Sequence, residues 1–523
     1  MMERGADPPE NVIEYLLPSR HGVGQRLALG TIDRRLRKVP LGESLLRLSR
    51  MCFRAERAGG RPVNVAAQLR LVQEYLPTGW RRRANEILEH QFHQCVVFSP
   101  QVIVLLGIRL MAVSQDDDRQ FPLGRLDSEL GALCLAFADH VEQGSRSPDT
   151  ITLETLRLQL FYGEAEHAGW LSVAGRLFFD TLPRLATHPA WCDPLRRFES
   201  ETGICVQYFW AITMLQGMAA SYSDEHFKFP ANTEPPSISP EDLDRWRALM
   251  ASPLADAMEA ARVDIAQPVS WSMSAVWKRP VIDIARSKGP VLRGWLLQMQ
   301  AEPSQMFWHI RDVVVGQGVP HRQWSDLYGA AVEDLGIELL TEHVSPSEIL
   351  VESEFVQRWK IPPNSKRADA AIITDRGDLV VIDFVSRQFT RDTTTIGDFS
   401  ALARDLRLGV IEKLEQVDAT LNRAIKSGDG KERLFPVVVL AGRFPMFPPL
   451  DQTVNEGLET LGMSVIGVHP DCRPWMALDL ANWMMLLRIS TLTATSVPDL
   501  RDAWQRSPLG RTSFREWAVQ LDD

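Results

Sequence analysis

The chain has 523 residues, with 57 Lys and Arg against 67 Asp and Glu, 45% hydrophobic and 24% charged residues. That balance belongs to a folded chain of several domains and excludes disorder as its main state. The formal charge of −10 excludes a general electrostatic binder of nucleic acid, so any such binding has to come from a local basic surface or from bound cations.

The opening MMERGADPPENVIEY lacks the basic, apolar and small-residue grammar of a secretory signal. No run of about 18 uncharged apolar residues follows, so a cytoplasmic chain with no membrane partner is expected. The cysteines Cys52, Cys95, Cys134, Cys192, Cys205 and Cys472 show no CxxC spacing, which argues against a zinc ribbon or disulfide framework and for small core residues.

Residues 1–230 read as a helical sensor or interaction region that would take a protein partner or activator. Thr31-Ile32-Asp33 opens one helix, and Leu41–Arg57 forms another with Leu45, Leu48 and Met51 near a 3.6-residue period. Leu71–Leu76, Arg83–Phe98, Leu126–Val141 and Leu153–Leu185 continue in the same style, without an alignable repeat. Ser221–Asp242 collects Pro, Ser, Asn and acids and reads as a linker. It leads into a connecting region, 231–320, with a helix over Leu243–Val263 and short strands or an extended arm in Trp271–Ile284.

From about residue 321 to 495 the grammar becomes that of an α/β unit with a mixed sheet, followed by a helical tail over 496–523. Trp324, Tyr328, Val332, Leu335 and Leu339 form a helical stripe. Ile349–Val356, Ala368–Thr374 and Leu379–Phe389 predict strands, the last two joined by a turn at Asp375-Arg376-Gly377-Asp378. Leu402, Leu406, Val410, Leu414, Val417, Leu421 and Ile425 mark a second long helix, and Leu434–Ala441 reads as a strand buried on both faces. A helix at Val454–Leu461, a strand at Ser464–Val468 and a helix at Leu478–Ile489 complete the expectation.

Asp369 precedes the run AAII, and Asp383, fourteen residues on, interrupts VVI-FV. Carboxylates on strands that otherwise ask for burial need compensation, and metal coordination is one way to supply it. Alternation along the strand puts Asp383 and Arg387 on one face. Glu333 flanks the stripe of YGAAVEDLGIELL, and Lys413 and Gln416, three apart, share a face of the later helix. Carboxylates with a nearby lysine are the equipment for metal-assisted phosphodiester hydrolysis.

In this order of elements the last third resembles the PD-(D/E)XK, restriction-endonuclease-like nucleases. The resemblance extends to bacterial members that join such a domain to a long helical region. It implies that Glu333, Asp369 and Asp383 hold Mg²⁺ or Mn²⁺, and that the substrate is DNA, contacted by Arg387, Gln416, Lys366 and Arg367. It further implies a regulated effector in antiviral defence. The family's lysine position, two after Asp383, is Val385 here. Three readings follow: Lys413 acts from the helix, Arg387 or Lys366 substitutes, or the domain is an inactive nuclease-fold subunit that binds nucleic acid or serves as a scaffold. Lys413 is favoured, since an arginine transfers no proton near neutral pH. Thr420 stands where some members carry a Tyr after the helix Gln.

Plainer explanations stand beside these. Asp369 fits a strand-edge acid paired with Lys366 or Arg367, and Asp383 fits a structural pair with Arg387 or Lys413. Glu333, with Asp334 and Glu338, fits a solvated helix face, and Lys413, between Glu412 and Glu415, fits ordinary surface patterning. His90, His93 and Cys95 lack a second ligand cluster and read as structural. Trp80-Arg81-Arg82-Arg83 reads as a solvated turn before a helix, with phosphate contact as the sharper alternative.

Overall fold

The computed structural model describes residues 14–58, 64–90, 95–114, 121–142, 172–188, 192–222, 239–266, 273–284, 291–292, 303–316, 321–345, 349–390, 392–396, 398–430, 432–442, 444, 448–507 and 514–519. The chain divides into two compact units, one of Met1–Ile151, Phe161–Ala165 and Ala211–Gln300, the other of Thr152–Leu160, Glu166–Trp210 and Ala301–Asp523. Among the described residues no helix is long and apolar enough to cross a membrane.

The first unit is organised around the helix Pro100–Val113, in which every residue except Ala112 is buried. Ser99 caps it by accepting the Val102 amide, and Pro100 occupies a first-turn position where no amide donor is needed. Arg109 inside it is neutralised by a bidentate pair with Asp33 at 2.5 and 2.8 Å. Helices Leu41–Ala58, Leu123–Glu142 and Leu254–Asp264 pack against it, Val65–Tyr75 packs on the first two of these, and Thr78–His90 packs on Val65–Tyr75. The helix expected over Arg83–Phe98 ends at His90, and Cys95–Val96 instead pairs in parallel with Glu14–Tyr15. The Trp80 run lies within Thr78–His90, where Arg82 and Arg83 pair with Glu86 one turn on, and His93 lies outside the described residues.

The helix expected over Leu243–Val263 is two, Pro240–Met250 and Leu254–Asp264, broken by the strand Ala251–Pro253, whose proline cannot continue a helix. That strand pairs with Val281–Asp283, which pairs in turn with Val291–Leu292. Most of the linker reading, 223–238, and most of Leu153–Leu185 lie outside the described residues.

The second unit holds a five-stranded mixed sheet. Helix α1 (His321–His343) precedes β1 (Ile349–Val351), α2 (Glu352–Arg358), β2 (Ala370–Ile373) and β3 (Leu379–Val385). Helices α3 (Phe399–Leu406) and α4 (Glu412–Lys426), joined by a π turn, carry the chain to β4 (Leu434–Leu440). Then come α5 (Pro448–Leu461), β5 (Met476–Asp479), α6 (Leu480–Thr493) and α7 (Val497–Arg506). The strands lie side by side in sequence order, β1 to β3 antiparallel and β3 to β5 parallel. Parallel neighbours need a crossover, and α3 with α4 supplies the first.

Every residue of β3 and β4 is buried, as their unbroken apolar runs predict for central strands covered on both sides. A Cβ on Gly336 of α1 would stand 2.3 Å from Phe384 Cε1, while Lys413 of α4 reaches Asp383. Neighbouring side chains on a strand point to opposite faces, so α1 and α4 cover opposite faces of the sheet.

Three strand expectations are corrected. Ile349–Val356 stops being a strand at Val351, because Glu354 accepts the Val351 amide at 2.9 Å and the chain turns into α2. Leu379–Phe389 ends at Val385. Ser464–Val468 is no strand: its Ser464, Val465 and Ile466 amides all donate to the Asp418 carboxylate at 2.8–2.9 Å. The fifth strand is Met476–Asp479, and α6 begins two residues later than expected, capped by Asp479.

Candidate metal centre

The register of the first three strands builds the site. Val351 pairs with Ala370 and Ala370 with Ile382. One residue beyond these pairs come Glu352, the first residue of α2, Asp369, just before β2, and Asp383 of β3, an acid row at the end of β1 and β2; Asp383 pairs with Val438.

Glu333 reaches this row from α1. Its helix neighbours Asp334 and Glu338 pair with Arg184 and Arg176 at 2.6 and 3.2 Å, so they form the solvated face. Glu333, by contrast, is half-buried, and each of Glu333, Glu352 and Asp369 offers an oxygen within 4.8 Å of the others. Asp369 is fixed by the Phe384 amide, which donates to its Oδ2 at 2.6 Å. The Ala368 amide donates to Thr420 Oγ1 at 2.9 Å, tying the approach to β2 onto α4. Thr420 is thus a buried structural residue.

Asp383 is fully buried, and its Oδ2 has no partner among the described residues. Lys413 Nζ lies 3.0 Å from its Oδ1 as an ion pair and donates to Gln416 Oε1 at 3.0 Å. Lys413 and Gln416 therefore share a face, as their spacing predicts. Lys366 is turned away to Glu415 at 2.5 Å, and Arg367 holds Glu352 and the Pro363 carbonyl. Arg387, beyond the end of β3, is exposed, whereas Asp383 is sealed.

The electrostatics follow from crowding acids in a poorly solvated place. Burial, with Asp369 and Glu352 adding repulsion, pushes the Glu333 carboxyl up to about 7, and Lys413 only partly offsets this. Burial raises Asp369 against the pull of the Phe384 amide and Lys413. Asp383 is also raised, by burial first and then by Asp369, despite its lysine. Formally four carboxylates face two cations, Lys413 and Arg367, leaving an excess of two negative charges.

Three carboxylates that meet within 4.8 Å, Glu333, Glu352 and Asp369, with that charge excess and with the unpartnered Oδ2 of buried Asp383 nearby, fit a hard divalent cation such as Mg²⁺ or Mn²⁺. Glu352 is the acid that the sequence reading misses. Its signal is the pairing register, which becomes visible once β1 is cut at Val351. No protein-family model, no curated protein and no solved structure matches the chain.

Proposed function

We propose that the α/β unit is a divergent metal-dependent nuclease of the PD-(D/E)XK type that hydrolyses DNA phosphodiester bonds. The observation that carries this reading is the cluster of Glu333, Glu352 and Asp369 with Asp383 and Lys413 beside it, on a sheet whose strand order follows the chain. Glu333, Asp369 and Asp383 would hold Mg²⁺ or Mn²⁺. A bound divalent ion polarises the phosphate and makes its bound water more acidic.

The chain's own residues do the rest. The Phe384 amide keeps Asp369 in one orientation, and Asp383 and Gln416 hold the Lys413 ammonium at the acids. There its charge offsets negative charge that builds up during phosphoryl transfer. Exposed Arg387 contacts the DNA backbone, which is how a net-acidic chain makes a local phosphate contact. The helical first unit serves as the sensor or recruiting element of a regulated defence effector.

The test is cleavage of plasmid, linear duplex and single-stranded DNA with Mg²⁺ or Mn²⁺, comparing wild type with Asp383→Ala and Lys413→Ala. Metal-dependent cutting lost in both variants supports the nuclease with its lysine on α4. If wild type does not cut, even with cell lysate added, the reading passes to a nuclease-fold scaffold in which Lys413 merely neutralises Asp383.

A further inference from the structure

The metal-ligand set implied by the nuclease resemblance does not include Glu352, yet Glu352 is one of the three acids whose oxygens lie within 4.8 Å of one another. It follows directly on the end of β1, one residue past the Val351–Ala370 pair that Asp369 precedes. Asp383 is independent evidence for a ligand at this place, since it is fully buried and, with Oδ1 paired to Lys413, its Oδ2 lacks any partner among the described residues. Glu352 differs from the other acids in its partner. Arg367 contacts its Oε1, and both side chains are about one-third exposed, at 32% and 35%.

We propose, resting on the metal-site reading above, that Glu352 is a ligand of the divalent cation and that Arg367 is its competitor. The guanidinium holds Glu352 in the cation-free chain and gives it up when the metal binds. Two facts make this exchange local. Arg367 also donates to the Pro363 carbonyl at 2.7 Å, so it keeps a partner after release. Lys413 is the poorer candidate for displacement, because leaving would strand the sealed Asp383 carboxylate. A half-exposed ion pair is weak enough for a divalent cation to replace.

The experiment is Mn²⁺ binding to the full chain at fixed pH and salt, followed by electron paramagnetic resonance of free Mn²⁺. Losing a ligand in Glu352→Gln weakens binding by at least the roughly 10–100-fold seen when supporting residues are removed. Arg367→Gln tightens it roughly two- to fivefold, the size of a half-exposed ion pair, with Arg367→Lys in between. A variant that folds poorly cannot bind more tightly, so the arginine arm keeps its meaning even if Glu352→Gln is unstable.

Unchanged affinity in Glu352→Gln, alongside loss in Glu333→Gln and Asp369→Asn, overturns this inference and leaves the metal site standing. Unchanged or weaker binding in Arg367→Gln overturns the competitor role. No Mn²⁺ binding by wild type overturns both the inference and the metal reading. The expected affinities without any DNA cleavage uphold the inference and overturn the nuclease.

Discussion

Gly336→Ala tests whether the close seat of α1 on the sheet is what brings Glu333 to the acid row. Gly336 lies one helical turn after Glu333, and a Cβ there would stand 2.3, 2.4 and 2.7 Å from Phe384 Cε1, Cδ1 and Cζ. Carbon contacts in a packed core sit near 4 Å, so α1 or the ring must give by more than about 1 Å. Phe384 is nearly buried on the central strand and has little room to yield. Overpacking of this kind costs about 1–3 kcal/mol, and the better helix propensity of Ala returns about 1 kcal/mol, for a net loss of roughly 0–2 kcal/mol.

The larger effect is on the site. Displacing α1 by that amount withdraws Glu333 from Asp369 and Glu352, and Mn²⁺ affinity is expected to fall roughly tenfold or more, as when a metal site loses its supporting shell. Urea melts and Mn²⁺ titration of the same samples separate the two effects. Adding Phe384→Leu to Gly336→Ala relieves the clash, so the double variant should recover affinity, with a coupling of about 0.5–3 kcal/mol in stability. A Gly336→Ala chain that gains stability and binds Mn²⁺ as wild type does would refute the idea that this contact positions Glu333.

Without a divalent cation, thermal stability should fall as pH rises. The folded chain keeps a proton on Glu333 up to about pH 7, where the unfolded chain has lost it from about 4.5, so folding takes up a proton across that window and stability falls from about pH 4.5 to about pH 7 and levels off above it. Saturating Mn²⁺ should flatten or reverse this slope, because the cation binds the deprotonated acids; melting curves from pH 5 to 8 with and without Mn²⁺ read both. Lys413→Met should destabilise the chain by about 3–5 kcal/mol in urea unfolding at pH 8, and Asp383→Asn in the same chain should restore much of it, since the cost is a stranded buried charge. Arg433→Ala should cost a similar 3–5 kcal/mol, because Asp378, only 1% exposed, loses donors at 2.9 and 2.7 Å while Asp499 and Asp502 each lose one of several partners; equal melting of variant and wild type would count against that network.

Legibility in the sequence tracked how local the cause of each feature is. The long helices α1 and α4 and the central strands β3 and β4 were readable because periodicity and unbroken apolar runs decide them. Glu333, Asp369, Asp383 and Lys413 were readable for the opposite reason: each is a charge beside or inside an apolar pattern. Glu352 was not, since ILVESEFV alternates well enough for a strand, and the deciding event is a hydrogen bond from the Val351 amide to Glu354. The Ser464–Val468 run failed through a partner 46 residues away, Asp418, which takes the amides a neighbouring strand would have taken. Met476–Asp479 was missed because Met and Ala carry little strand preference, and its pairing to β4 comes from tertiary context.

The acids also explain why β1 ends where it does. One step inside them the paired residues are Val351, Ala370 and Ile382, which close an apolar layer. At the row itself each acid needs a different relief. Asp369 takes a backbone amide, Glu352 takes Arg367 and Asp383 takes Lys413, while Glu333 stands against like charges. Continuing β1 by one residue would pair Glu352 against Asp369 within the ladder, like charges directly opposite, which is destabilising. Ending β1 at Val351 and turning into α2 takes Glu352 out of the ladder, where it reaches Arg367 with a carboxylate oxygen still within 4.8 Å of Asp369 and Glu333. The same break in the strand that hides Glu352 from a sequence reading thus places it where the ligand role proposed above needs it.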